Sequence, residues 1–270
     1  MRGAFSLSTA LRWLLMAACT VFAAAPFLVM IAVAFTDDQA AAHGLNRFTL
    51  DNFRIAISEA PILRALANGG LICTAITVIQ LALALPLAYR LAKMKVRARG
   101  LILAGLYLAL LTPAYAIAVP RFVGFYELRL LDSYAALILQ ASASPFAVLL
   151  FFNAIRGVPD ELIGAARLDG LREIQILWSI VLPEIAPSVA TVVILSVTAH
   201  WNDLFWPSLV VQDPGLATPP LAVLFFRDQE AGGGYGPLMA AALLVVAPLL
   251  LAYLRLQRQV MTSLAGGKAR

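Results

Sequence analysis

The 270-residue chain is 61% hydrophobic and 13% charged, with a formal net charge of +5 and a mean hydropathy of +0.86. That much apolar surface would leave a soluble domain of this length almost no polar shell, which excludes an ordinary water-soluble fold and makes the bilayer part of the structure. The cations cluster between apolar runs, without a basic domain interleaved with aromatics, so they speak for membrane orientation and against nucleic acid.

The first apolar run, Leu14 to Phe35, follows Arg2 and Arg12. Ala23-Ala24-Ala25 has the look of a cleavage site, but the run continues to full spanning length, so it reads as an uncleaved anchor. The second run, Leu66 to Ala92, releases a basic loop with Lys93, Lys95, Arg97 and Arg99. The third, Leu101 to Pro120, contains Pro113 and ends in a polar hairpin with Arg121, Glu127, Arg129 and Asp132; the fourth, Tyr134 to Phe152, carries Pro145. Kinks are expected at both prolines, since spans tolerate them where neighbours re-satisfy the freed carbonyls. The fifth span lies within Ala186 to Val211 and the sixth within Tyr235 to Leu256, with Pro248 inside it.

The reading is an all-α polytopic membrane protein with six transmembrane helices and both termini on one side. With the amino terminus cytoplasmic, the inside set is Arg2, Arg12, Arg90, Lys93, Lys95, Arg97, Arg99, Arg156, Arg167, Arg172, Arg255, Arg258, Lys268 and Arg270, which is 14 of the 20 Lys and Arg. The positive-inside bias selects this orientation. Cys19 and Cys73 sit inside apolar runs without metal-ligand spacing and read as small buried hydrophobes.

One cytoplasmic segment is unlike the short loops. Arg156 to Pro183 runs RGVPDELIGAARLDGLREIQILWSIVLP. Pro159 suits the first turn of a helix. Glu161 to Ala166 extend it with a patch of small residues, Gly164, Ala165 and Ala166, that lets another protein come close to the backbone. Asp169-Gly170 is a turn signal, and Asp169 is placed to cap a second helix from near Leu171. With no nucleophile–base pair and no cluster of metal ligands, the element does no chemistry by itself; its residues read either as a cover over helix ends or as a surface that receives force from a soluble partner.

The order of these residues closely resembles the inner-membrane permease subunits of ABC importers, in the carbohydrate-uptake group that contains the second permease of the maltose system. The family signature is E-A-A-x3-G-x9-I-x-L-P; here Ala165, Ala166, Gly170, Ile180, Leu182 and Pro183 match it, while Gly164 stands where glutamate is usual. Asp160 and Glu161 lie nearby but face other directions on a helix. Further similarity lies in Asn68, the stretch Ala88 to Ala92, Leu130 to Tyr134, and Tyr235-Gly236 with Met239-Ala240. Arg129 occupies a position where glycine is common. Trp201-Asn202-Asp203, followed by Phe205 and Pro207, is similar to the family's W-N-(E/D) end of the fifth span.

The resemblance implies a type I ABC importer permease fold in the cell inner membrane, organised as 1–63, a permease core over 64–256 with the coupling helix at 159–170, and a cytoplasmic tail 257–270. It implies coupling to an ATPase through Pro159, Glu161, Gly164, Ala165, Ala166, Asp169, Gly170, Leu182 and Pro183, and an outer gate or substrate route at Trp201, Asn202 and Asp203. The implied partners are a second related permease, two ATPase subunits that use the ATP and Mg, an extracytoplasmic solute-binding protein and the lipid bilayer. No cofactor is expected in this chain. The implied solute is a mono- or oligosaccharide, a polyol or a glycerol-phosphate, moved by alternating access.

Other readings stand beside this one. A secondary transporter working without an ATPase would place paired polar residues at mid-membrane, and the spans offer few, with Asp203 near a helix end among Trp201 and Trp206. There Asp203 reads as an interface anchor, and His200 as a packing residue. A membrane-embedded enzyme would gather Asp, His, Glu or Ser at one face, whereas Asp160, Glu161, Asp169 and Glu173 are mixed with arginines and fit docking better. A purely structural subunit would share every topological expectation. The glycines around Gly232 to Gly236 lack the Lys-Ser/Thr of a nucleotide loop and read as a flexible connection.

Overall fold

The computed structural model describes residues 7–37, 47–59, 61–229 and 235–265. Within them the chain is helical, apart from one isolated antiparallel bridge between Thr36 and Phe48. In chain order the helices are α1 (Leu7–Ala34), α2 (Asp51–Glu59), α3 (Ile62–Lys93), α4 (Arg99–Leu111), α5 (Ala118–Glu127), α6 (Tyr134–Leu139), α7 (Pro145–Arg156) and α8 (Asp160–Leu168). They continue with α9 (Glu173–Glu184), α10 (Ala186–Trp201), α11 (Phe205–Val210), α12 (Pro219–Gln229) and α13 (Tyr235–Ala265). The Gly232–Gly234 part of the glycine-rich connection and the tail beyond residue 265 lie outside the described residues.

Three helices are long and apolar enough to cross a membrane: Leu11–Ala34, Ile62–Lys93 and Tyr235–Leu254. Two bent pairs raise the number to five if each is one span: Arg99–Leu111 with Ala114–Glu127, bent by 95°, and Glu173–Glu184 with Ala186–Trp201, bent by 83°. Among the described residues the count of such spans is thus three, or up to five with the bent pairs, and not clearly six. The prolines break the third and fourth apolar runs outright instead of kinking them. A residue before proline is driven out of the α region, and Thr112 is extended at ψ 120° with Pro113 following at ψ 128°. In the fourth run α6 stops at Leu139, and Pro145 opens α7 at its first turn, with the Ser144 hydroxyl accepting from the Ala147 N–H. Cap and proline together form a helix-start signal. Pro26, Pro86 and Pro248, lacking such neighbours, stay inside their helices.

The chain divides into two compact units. The first comprises the stretch up to Ile62 together with Ala222–Pro248. Its polar lock is Asn52, buried, whose amide donates to the Ala34 and Thr36 carbonyls at 3.0 and 2.8 Å. These acceptors lie at the end of α1, where helix carbonyls lack partners. A Cβ at Gly236 would come within 2.4 Å of the Asn52 amide nitrogen, so only glycine allows this approach.

The second unit, Leu63–Leu221 with Leu249 onward, carries a core at one end. There Ala84, Leu85 and Ala88 of α3 pack with Phe151 and Ile155 of α7, Ile163 of α8, and Ile176 and Val181 of α9. Further along α3, buried Asn68 donates to the Gly215 and Ala217 carbonyls, both at 3.0 Å, and accepts from the Tyr134 hydroxyl at 2.7 Å. The Asn68 of the sequence comparison is thus a structural clasp. Gly69 lets Pro219 and Trp201 close in beside it, since a Cβ there would meet Pro219 at 2.6 Å.

The turn between α5 and α6 holds Arg129 and Asp132 at positive φ, both 55°. Asp132 gains from it: its carboxylate accepts from the Gln212 and Asp213 N–H groups at 2.9 and 3.0 Å. Arg129 is exposed and bears the left-handed backbone without such compensation, at the position where the resembling family commonly has glycine. Removing that steric cost in Arg129→Gly is expected to raise stability by about 1 kcal/mol, read as a higher midpoint in detergent-solubilised thermal unfolding; an unchanged or lower midpoint would show that no strain is stored there.

Candidate functional site

The loop from Gly157 to Glu184 is built around α8. Pro159 sits just before the helix, at its N-cap, not within its first turn. Asp160 and Glu161 then place negative charge at the positive end of the dipole. Ile163 and Ala166 turn inward and are buried, while Leu162, Ala165, Leu168 and Asp169 are exposed, Leu168 at 90%. The two signature alanines therefore have opposite jobs: Ala166 packs the loop onto the core, and Ala165 faces outward. Gly164 is half-buried, and a Cβ built on it meets nothing within 4 Å, so the glycine is not required by space.

α8 ends in a Schellman motif. The Leu171 N–H donates to the Ala166 carbonyl at 3.0 Å and the Gly170 N–H to Arg167 at 3.1 Å, around Gly170 at φ +80°. This satisfies carbonyls that the helix leaves open and gives the signature glycine its physical reason, because the space around it is empty and only φ demands it. Asp169 is the C-cap of α8 and does not cap the next helix, contrary to the sequence expectation. That helix starts at Glu173, with the Arg172 N–H donating to the Gln175 side chain at 2.8 Å.

Two polar ties bind this loop to α3. Lys93 Nζ donates to the Val158 carbonyl and to Asp160 Oδ1, each at 2.6 Å, with the lysine side chain only 7% exposed and that of Asp160 85%. On the other side of α8, Arg167 Nε donates to Glu173 Oε1 at 2.8 Å, and Glu173 Oε2 accepts from the Tyr89 hydroxyl at 2.5 Å. Tyr89 and Lys93 are one turn apart on the same face of α3. The hydrogen bond from Lys93 holds the Asp160 carboxyl below its ordinary value. Leu182 and Pro183 complete the loop at the end of α9, whose middle, Leu177–Val181, is π-helical, before the bend at Ile185.

A second cluster lies along α10. The Ser196 hydroxyl donates to Gln80 Oε1 at 2.8 Å, the Thr77 hydroxyl to Ser196 at 3.2 Å, and the Gln80 amide to the Ala141 carbonyl at 2.7 Å, with His200 Nε2 at 3.4 Å. A cavity of about 280 Å³ opens beside them, lined by Gln80, Ser144, Phe146, Ser196 and His200 among others. Of the three residues expected at a gate, Trp201 is buried against the Gly69 approach and the Asn202 amide folds back onto the Thr198 carbonyl at 2.8 Å. Asp203 borders two cavities and accepts from the Trp206 N–H at 3.3 Å.

The sequence reading passed over Tyr89, Lys93, Arg167 and Glu173 as ties, Leu162 and Leu168 as outward apolar groups, and the Thr77–Gln80–Ser196–His200 cluster. The last had a signal, since Thr77 with Gln80 and Ser196 with His200 each share a helix face at i, i+3 or i, i+4. Among the described residues no group of three or more His, Cys, Asp or Glu is arranged to hold a metal.

A family described as binding-protein-dependent transport system inner membrane component matches residues 80–264, a stretch that contains the whole loop and, of the α10 cluster, Gln80, Ser196 and His200. The chain belongs to this family. The arabinooligosaccharides transport system permease protein of Halalkalibacterium halodurans is 30% identical over 220 residues, 81% of this chain and 78% of that protein. The sn-glycerol-3-phosphate transport system permease protein of Yersinia enterocolitica is 30% identical over 205 residues, 74% and 72% of the two chains. In three dimensions the permease is similar to a chain of a bacterial ABC transporter involved in the import of the acidic polysaccharide alginate, with a TM-score of 0.81 and 19% identity, covering 94% of this chain and 96% of that one. It is a multi-pass translocation subunit of an ATP-driven ABC importer that works with permease, ATPase and binding-protein components, and ATP hydrolysis belongs to the ATPase.

Gly170→Ala forces a side chain into the left-handed region and is expected to cost about 1–2 kcal/mol, visible as a lowered thermal midpoint. Lys93→Met strands the Val158 carbonyl and is expected to cost about 1–3 kcal/mol, whereas Asp160→Asn, at an exposed site, changes the midpoint little. The sign for pH follows from the depressed carboxyl. Its contribution is complete at neutral pH and is lost only as the pH falls from the unperturbed 3.8 through Asp160's own, lower value, so the small difference in midpoint between wild type and Asp160→Asn should stay constant between pH 6 and 8 and close only in acid.

Proposed function

We propose that this permease carries a carbohydrate-type solute across the cell inner membrane by alternating access, paired with a second related permease over two ATPase subunits, with α8 as the element that docks on an ATPase. The observation that supports this most is the division of labour on α8: one face is sunk in the core through Ile163 and Ala166, while Leu162, Ala165 and Leu168 face outward on a helix fixed at both ends. A leucine 90% exposed on a rigid, tied-down helix fits a surface covered in the assembly.

Pro159, Glu161, Gly164, Ala165, Asp169 and Gly170 form or flank that surface, and Leu182 with Pro183 lies where the loop hands over to α10. The proposed topology has six crossings, the sixth being the interrupted pair α6 and α7, with both termini cytoplasmic as the cation distribution favours. A carbohydrate-type solute is supported by the relatives, whose names refer to arabinooligosaccharides, sn-glycerol-3-phosphate and alginate, polyhydroxylated molecules all. The machine is then a two-state equilibrium: ATP closing the ATPases and loaded binding protein on the far face each favour the outward-open state, and each can shift it only by its differential affinity.

The test separates docking from folding. Ala165→Trp and Leu168→Glu are expected to leave the permease folded, with a wild-type melting profile, yet to reduce co-purifying ATPase about tenfold or more by removing a hot-spot contact. Ala166→Trp overfills the core and is expected to unfold the loop. Wild-type ATPase recovery and solute uptake in Ala165→Trp and Leu168→Glu would rule out α8 as the docking element.

A further inference from the structure

Ser196, His200 and Asp203 follow one another at helical spacing along α10 and just past its end, and cavities adjoin them in sequence. The cavity of about 280 Å³ beside Ser196 and His200 has the His200 side chain in common with a small space of about 10 Å³, which hardly admits one water. That small space also shares Gln140, Asp203 and Trp206 with a third cavity of about 130 Å³.

The third cavity has the chemistry of a site. Its polar groups are the Arg121 guanidinium, the Gln140 amide and the Asp203 carboxylate; its rings are Tyr115, Phe205 and Trp206. Arg121 is preorganised, donating to Gln140 Oε1 at 2.9 Å with its guanidinium carbon 5.6 Å from the Trp206 ring centre. Tyr115 and Phe205 meet edge-on at 4.6 Å, and the Tyr115 ring is 71% exposed. Among the described residues Arg121 and Asp203 do not pair with each other, although they border the same space. A fork of donors, an amide and a carboxylate acceptor beside aromatic faces match a ring whose edge carries adjacent hydroxyls and whose faces carry C–H groups. The opposite charges balance within the cavity, which suits a neutral ring better than an anion.

We infer that Arg121, Gln140 and Asp203, with Tyr115 and Phe205 as the apolar rim, form a contact site for one neutral sugar ring on this subunit. This assignment rests on the carbohydrate reading above and adds to it that this chain itself touches the solute. Asp203 accepts from ring hydroxyls, and Arg121 and Gln140 donate to them.

The experiment uses the assembled importer, with its second permease, ATPase and binding protein, reconstituted in lipid vesicles and supplied with radiolabelled neutral mono-, di- and trisaccharides. Solute taken up per ATP hydrolysed and ATPase stimulation by loaded binding protein are measured together. Asp203→Asn and Arg121→Gln are expected to lower the solute moved per ATP about tenfold or more, the scale of losing a charged hydrogen bond to the solute, while ATPase stimulation stays within about twofold because the coupling loop is intact. Tyr115→Ala, at the exposed rim, is expected to act in the same direction without affecting folding. Unchanged solute per ATP in all three variants would overturn the site. A wild-type importer that moves only saccharides bearing a carboxylate or phosphate would overturn the neutral-ring assignment, and one that moves no saccharide at all, a failure seen before any substitution, would overturn the carbohydrate reading and this inference together.

Discussion

Lipid offers no hydrogen bonds, so each interruption of a membrane helix leaves carbonyls and N–H groups that the protein must satisfy by itself. Much of this permease is organised around that constraint. At the break between α6 and α7 the Ala141 carbonyl is met by the Gln80 amide at 2.7 Å, and the Ala147 N–H by the Ser144 hydroxyl. Gln80 is in turn held by Ser196, and Ser196 by Thr77. The side chains that repair the backbone are among those that line the cavity of about 280 Å³ along α10. Architecture and polar lining therefore arise together: a break that needs a glutamine also puts a glutamine beside an open space.

The same economy governs the loop built around α8. The signature residues separate into those that shape the loop and those that present a surface. Gly170 permits the Schellman ending, Ala166 fills the core, and Pro159 precedes the helix, all local requirements; Ala165 and Leu168 are left over, small or apolar, facing outward. A motif read only as letters hides this division, because adjacent alanines on a helix point about 100° apart.

Legibility followed the physics of each element. The long apolar runs at α1, α3 and α13 were readable because hydropathy over a spanning length is a strong signal. The loop was readable as helix, turn and helix because proline, small residues and Asp-Gly punctuate it. The bends were not, since a proline in a membrane helix is compatible with continuity at Pro26, Pro86 and Pro248 and with a break at Pro113 and Pro145. What decides is the neighbouring polar residue, Thr112 or Ser144, together with tertiary partners far away in the chain. For the same reason Gln80 could not be matched to His200 and Ala141, more than 60 residues away, from spacing alone. Arg129 is the converse case, where family resemblance marked a glycine position and the positive φ explains why glycine belongs there.

From successive turns of one face of α3, Lys93 holds the start of α8 directly through Asp160, and Tyr89 reaches its other end through Glu173, which also accepts from Arg167. A single anchor would allow α8 to swivel about it and spend an imposed displacement in the loop. Two anchors along the α3 axis remove that freedom, so α8 and the end of α3 form a bracket: with α8 as the docking element proposed above, a sideways thrust on it would be passed to a 32-residue helix. On that proposal the leverage would be set by the length of α3 and by the stiffness of two hydrogen-bonded corners, quantities that an engineer of this importer could alter independently of whatever it carries.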